Sequence, residues 1–303
     1  MDCGYKQKKY LKKTKKHGSN PIYQKKLELY TIMKGGFMAL DNRYLLATEK
    51  ICLDNSLDES HGMNHFLVVL CNASKALEHY DGPITEREKL LVKLAALLHD
   101  IDDHKYFPEN HNFENARKML TNPEIRGIDN LTDNDIATIL LMIYLVSSSK
   151  HGDTIPIGMP DWYFYPRYAD RLEAIGVIGV KRTFEYTTHK GGSLYLPGET
   201  LFAETEEQLW EIASEERYKS YNGKSKSMMD HFYDKLLRIG NYPIKNAFFM
   251  EETSKKVAPL IEFSLLVGKK RSVEESDVLT FLEANRDFKP VCDLQLEAYA
   301  EKK

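Results

Sequence analysis

The sequence predicts an all-α protein. Apolar residues recur at helical spacing through most of its 303 residues, and no segment sustains the strict alternation of a half-buried strand. Thr or Ser followed three positions later by Glu or Asp marks several helix starts. Pro21 opens a first helical run, Ile22 to Met33, which Gly35-Gly36 closes. A second helix is expected from about Asn42 to Cys52. Ser60 precedes a third, from His61 to about His79, ended by Asp81-Gly82-Pro83. Thr85 with Glu88 forms a capping box for a fourth helix, which runs to about Asp100. Its last turns (Leu90, Leu91, Leu94, Ala95, Leu97, Leu98) are apolar nearly all round, so it is expected to be central and buried. A helix follows near Phe113 to Leu120, and Thr132 with Asp135 caps another through Val146. Residues 152–164 read as a long loop, 166–180 as helix, and 190–200 as a Gly/Pro-rich connection. Further helices are expected near 204–218, 227–239 and 246–266. Ser272 with Glu275 caps a last one to about Arg286, beyond a basic Lys269-Lys270-Arg271 hinge.

Composition narrows the class further. Hydrophobic residues make up 42% and charged residues 29%, as in an ordinary globular protein, and 17 Gly with 11 Pro exclude collagen-like and low-complexity chains. The four cysteines (Cys3, Cys52, Cys71, Cys292) are scattered with no C-x-x-C pair. That argues against a zinc ribbon and a disulfide framework, and for a reducing compartment. The longest apolar run, Ile139 to Val146, is broken only by Tyr144 and falls far short of the ~18 residues a membrane helix needs. The first residues lack the apolar stretch of a secretory signal and contain no Arg before Arg43. A cytoplasmic protein without membrane insertion is the expectation.

The net charge of -3 is unevenly spread. Residues 1–26 hold nine Lys and one Asp, a balance of +8 that leaves -11 for the rest. Residues 1–20 are therefore expected to form a basic flexible tail, 21–268 the helical domain and 269–303 a C-terminal helical extension. Seven lysines between residues 5 and 16 leave the tail little apolar surface to bury. The tail reads first as a solvated extension; contact with nucleic acid or anionic lipid is expected nowhere else on the chain, and there only electrostatically.

One constellation of residues points to chemistry. His61 and His65 lie four apart on one helix and so share a face. His99-Asp100 ends the buried fourth helix, and Asp170 sits in the amphipathic stretch Tyr168-Ala169-Asp170-Arg171-Leu172-Glu173-Ala174-Ile175-Gly176. A divalent ion favours imidazole nitrogen plus carboxylate oxygen. Neighbouring helical residues point about 100° apart, so His99 and Asp100 reach one ion only if it lies off the helix end. His65 and Asp170 then complete four ligands from three helices. An octahedral ion keeps two positions for water and a substrate oxygen, as a hydrolytic site requires. His61, one turn before His65, is placed to contact water or phosphate beside the ion.

His65, His99-Asp100 and Asp170 match the H…HD…D signature of the HD-domain metal-dependent phosphohydrolases. The stretches HGMNHFLVV (61–69), LAALLHDIDDHKYF (94–107), YADRLEAIGVIGVKRTF (168–184) and DHFYDKLL (230–237) resemble, in the same order, the small single-domain bacterial members. The resemblance spans roughly residues 40–268. The chain departs from that group's usual pattern at Gly62, Val68 and Val146, none of them an expected ligand.

This resemblance implies a helical bundle holding one divalent ion (Mn, Mg, Fe, Ni or Zn) and hydrolysis of a phosphate ester or anhydride in a small phosphorylated substrate such as a nucleotide. By the same analogy Asp103, three residues after Asp100, moves a proton, with Asp102 its competitor. A phosphoryl substrate needs cations, and Lys105, Arg171, Arg182 and Lys235 are candidates, with His231 at i, i+4 from Lys235 on one helix. Glu173 and Lys181 read as solvated or structural charges. Two other readings share the motif. A di-iron HD-fold oxygenase would need further His ligands, and a non-catalytic HD module would bind a nucleotide or a partner.

Overall fold

A computed structural model of the chain describes residues 40–55, 57, 62–146 and 155–287, and among these there is no strand. The helix expected at Ile22 to Met33, the basic tail and His61 lie outside the described residues. Helix α1 spans Asn42–Asp54 and is capped by Asp41, whose carboxylate accepts from Arg43 N–H at 2.9 Å. Helix α2 (Met63–Glu78) starts two residues later than the sequence suggests, after Gly62. Helix α3 (Glu86–Leu98) begins with the expected Thr85/Glu88 capping box, and Leu91, Leu94, Ala95, Leu97 and Leu98 are buried as its apolar pattern requires. Next come α4 (Glu114–Thr121), the single turn α5 (Pro123–Arg126) and α6 (Asp133–Val146).

The stretch expected as one helix over 166–180 is two. Helix α7 (Tyr165–Glu173), entered through a 3-10 turn at Asp161–Phe164, stops at Ala174; α8 (Val177–His189) restarts after Gly176. Gly176 has φ +90°, a conformation that strains any residue bearing a Cβ, so the break needs glycine. The segment 204–218 likewise divides into α9 (Glu206–Ile212) and α10 (Glu215–Ser220), because Ser214 caps a new start by accepting from Arg217 N–H. Helix α11 (Met228–His231) widens into a π turn at Phe232–Leu236. Helix α12 (Ala247–Lys270) runs through the expected Lys269-Lys270 hinge to Arg271, in the left-handed conformation. Helix α13 (Glu275–Ala284) is boxed by Glu274 and Asp277 rather than by Ser272 and Glu275.

The core forms where α7 lies against α2, α3, α6 and α12. Buried polar side chains fix these crossings by meeting backbone groups that helix ends leave unpaired. Asn246 caps α12 through Phe249 N–H and donates to Ala76 O on α2 and to the Tyr165 hydroxyl on α7. Arg167 donates to Leu145 O in the last turn of α6, and Lys256 to Leu172 O near the end of α7. Cys52 is a buried free thiol. No helix among the described residues is long and apolar enough to cross a membrane.

Glycine has a second structural use in α12. A Cβ on Gly268 would sit 1.8 Å from the Ala203 carbonyl oxygen, a backbone atom with little freedom to move. Gly268→Ala is expected to destabilise the protein by roughly 3 kcal/mol, lowering the melting temperature by about 6–12 °C, despite alanine's higher helix propensity. Thermal unfolding followed by circular dichroism checks this. An unchanged or higher melting temperature would mean that α12 does not approach Ala203 so closely.

Candidate metal centre

Three helices supply the site. His65 is the third residue of α2, His99 is the C-cap of α3 with Asp100 in the turn that follows, and Asp170 lies midway along α7. The burial of Leu172 and Ile175, both fully enclosed, fixes the rotation of this part of the chain. One ligand atom from each of His65, His99, Asp100 and Asp170 lies within 4.8 Å of the others. His65 Nε2 and His99 Nε2 are 3.0 Å apart. Asp100 Oδ2 is 3.6 Å from the first and 3.4 Å from the second; Asp170 Oδ1 is 3.5 and 3.6 Å from them. Ligands about 2.1 Å from a shared ion stand roughly 3.0 Å apart at right angles and about 3.5 Å apart at tetrahedral angles. The observed separations, 3.0–3.6 Å, fall in that interval or within 0.1 Å of it.

The outer ring nitrogens explain why the inner ones converge. His99 Nδ1 lies 2.9 Å from Ala96 O, within its own helix. His65 Nδ1 lies 3.3 Å from Glu173 Oε2. With His99 Nδ1 on a backbone carbonyl and His65 Nδ1 facing the Glu173 carboxylate at ion-pair distance, each Nε2 is left to bind a cation. Burial opposes charge on His65, yet the Asp100 and Glu173 carboxylates outweigh it and lift the imidazole to about 9. Burial also opposes charge on His99, and Asp100 and Asp170 raise it well above the ordinary histidine value. The same pairing, against burial, holds the carboxyls of Asp100 and Asp170 below the usual range. Two buried imidazoles among carboxylates form a site for positive charge, and their N2O2 donor set fits a divalent ion.

Of the two readings the sequence offers for Glu173, a solvated or a structural charge, the structure excludes the first: its Oε2 stands 3.3 Å from His65 Nδ1. Its Oε2 also accepts from Arg182 Nη1 at 2.6 Å. Burial pushes its carboxyl up, and His65, Arg182 and Lys256 together hold it below the usual range. The available signal was spacing: Glu173 is three residues after Asp170 on α7 and so shares its face.

The candidate substrate contacts are placed unequally. Arg171 is buried, with its guanidinium 5.7 Å from the Tyr168 ring. Lys235 reaches the same neighbourhood from the π turn. Burial lowers its pKa, Asp170 opposes that, and Arg171 and Arg182 push it further down. His231 is driven to about 4 by burial and by Lys235, and its Nδ1 lies 3.3 Å from Ser225 Oγ and 3.4 Å from Tyr221 Oη. Lys105 is exposed on the loop after α3, its Nζ 4.9 Å over the Tyr106 ring. Asp103 is partly exposed, and its Oδ1 accepts from Lys105 N–H at 2.7 Å. Asp102 has a different task, since its carboxylate accepts from Asn115 and Ala116 N–H at 2.8 and 2.9 Å, capping α4.

No family model matches the sequence. The chain is 35% identical to uncharacterized protein L803 of Acanthamoeba polyphaga mimivirus, over 76% of this chain and 97% of the viral protein. Its fold is similar to that of a Lactobacillus plantarum protein, with a TM-score of 0.53 at 21% identity over 76% of this chain and 97% of the other. It is also similar to an HD-superfamily hydrolase from Bacillus thuringiensis, with a TM-score of 0.52 at 19% identity over 77% and 97%. The chain therefore belongs to one family with the mimivirus protein L803, and its fold is HD-like.

Proposed function

We propose that the protein is a divalent-metal-dependent phosphohydrolase acting on a small phosphorylated substrate, a nucleotide in the first instance. The observation that carries this reading is the convergence of His65, His99, Asp100 and Asp170 within 4.8 Å. Lys235 lies close enough to feel Asp170, Arg171 and Arg182. Ligands for a divalent ion and side chains for an anion thus occupy one place, the combination that phosphoryl transfer to water demands. A hydrolase of the same superfamily among its structural neighbours is consistent with this.

In the proposed mechanism His65, His99, Asp100 and Asp170 would hold one ion, which would supply Lewis acidity and lower the pKa of a water. Lys235 and Arg182 offset the charge on the non-bridging oxygens of the substrate, and the buried Arg171 adds to the same field. Asp103 moves the proton, from the attacking water or to the leaving oxygen. Its Oδ1 is steadied by Lys105 N–H while Oδ2 stays available. His231, held neutral by its surroundings, offers a hydrogen bond rather than a charge. The test is a panel of nucleoside mono-, di- and triphosphates with Mn²⁺ or Mg²⁺, scored for released phosphate and pyrophosphate. Metal-dependent release from at least one nucleotide is expected. No release from any phosphorylated compound, with the ion bound, would favour a non-catalytic HD module.

A further inference from the structure

We propose that Glu173 is a positioning residue for the metal centre: its carboxylate fixes His65 with Nδ1 protonated and Nε2 facing the ion, and Arg182 fixes that carboxylate. The inference rests on the reading of His65, His99, Asp100 and Asp170 as metal ligands. One oxygen, Glu173 Oε2, faces His65 Nδ1 at 3.3 Å and accepts from Arg182 Nη1 at 2.6 Å. His65 is 3% exposed in its side chain, Glu173 15% and Arg182 29%, so exposure rises along this series of contacts. An imidazole ring can turn over, and a turned His65 would present the wrong nitrogen. A carboxylate acceptor at Nδ1 makes that flip unfavourable and increases the electron density at Nε2.

The surroundings suit this task. Glu173 ends α7, and the following chain is pinned by the left-handed turn at Gly176 and by Lys256, which binds Leu172 O at 2.9 Å. The carboxylate therefore stands on a short, anchored piece of backbone that also bears Asp170. One helix supplies both a direct ligand and the group that orients a second ligand on α2. His99 has a backbone acceptor, Ala96 O, in the equivalent place, which no side-chain substitution removes. His65 depends on a side chain, and that side chain is Glu173.

The experiment uses the full chain and Zn²⁺ as the probe, with affinity measured by competition with a chromophoric chelator. Glu173→Gln keeps the shape but weakens the hydrogen bond, and Zn²⁺ affinity should fall about 10–100-fold. Glu173→Asp, which retains the charge, should recover part of that loss. In the Zn²⁺-loaded wild type, ¹⁵N spectra of labelled histidines should show His65 protonated at Nδ1 in a strong hydrogen bond, a signature that Glu173→Gln loses. Unchanged affinity and an unchanged His65 signature in Glu173→Gln would overturn the proposal. Asp170→Ala separates this from the underlying reading. If that variant binds Zn²⁺ as tightly as the wild type, the metal centre itself is misassigned and the inference falls with it. Should Glu173→Gln not fold, the wild-type spectrum decides alone: His65 bound to zinc through Nδ1 contradicts the proposal, and through Nε2 with Nδ1 protonated supports it.

Discussion

Asp170→Ala is expected to lose the bound ion and all metal-dependent turnover. Asp170 supplies an oxygen 3.5 and 3.6 Å from the two Nε2 atoms. Without it the remaining donors enclose an ion on fewer sides, with one negative charge less to balance two positive ones. Affinity for divalent ions depends on every such contact, so elemental analysis of the purified variant should find well under one equivalent. Stability follows from linkage: an ion at 100 times its dissociation constant contributes about 2.7 kcal/mol that the variant forfeits. For a domain of this size the melting temperature of the metal-loaded protein should drop by roughly 5–10 °C. His65→Ala should behave alike. A full equivalent of metal and normal turnover in Asp170→Ala would refute the site.

Asp103→Asn is expected to keep the ion and lose the chemistry. The amide oxygen can still accept from Lys105 N–H, so the loop retains its turn, but the side chain no longer takes or gives a proton. Turnover should fall by ~10²–10⁴ with metal content unchanged. Asp102 provides the contrast. Because its carboxylate caps α4 through Asn115 and Ala116, Asp102→Ala should cost about 1–2 kcal/mol of stability through the cap. If Asp103→Asn turns over at the wild-type rate at all pH values, Asp103 is only a loop residue, and attention moves to His61.

His99, Asp100 and Asp170 were legible as candidate ligands because each sits where a strong local signal fixes the backbone, whereas the start of α2, which carries His65, has no side-chain cap. The Thr85/Glu88 capping box and the apolar last turns of α3 set the position of His99-Asp100 at a helix end. Leu172 and Ile175 orient the stretch that carries Asp170. Glu173 escaped because a glutamate on an amphipathic helix looks the same whether it faces water or a buried imidazole; only the tertiary pairing with His65 on α2 distinguishes the two. The π turn that contains Lys235 has no local signature either, since the extra residue is accommodated by packing of Phe232, Tyr233 and Leu236 in the core. The division of 166–180 was visible only as Gly176, whose positive φ interrupts a sequence otherwise of helical period. In the last helix Ser272 was the better cap by residue type, yet Glu274 takes that place with Asp277, which Lys270 Nζ binds at 2.6 and 2.8 Å.

The central claim is that one divalent ion sits among His65, His99, Asp100 and Asp170. An anomalous difference map from a crystal of the full chain grown with Mn²⁺, recorded near the manganese edge, tests it most directly. The account predicts a single strong peak within about 2.4 Å of His65 Nε2, His99 Nε2 and one carboxylate oxygen each of Asp100 and Asp170. A peak elsewhere, no peak at saturating Mn²⁺, or two peaks of equal height bridged by further histidines would contradict it.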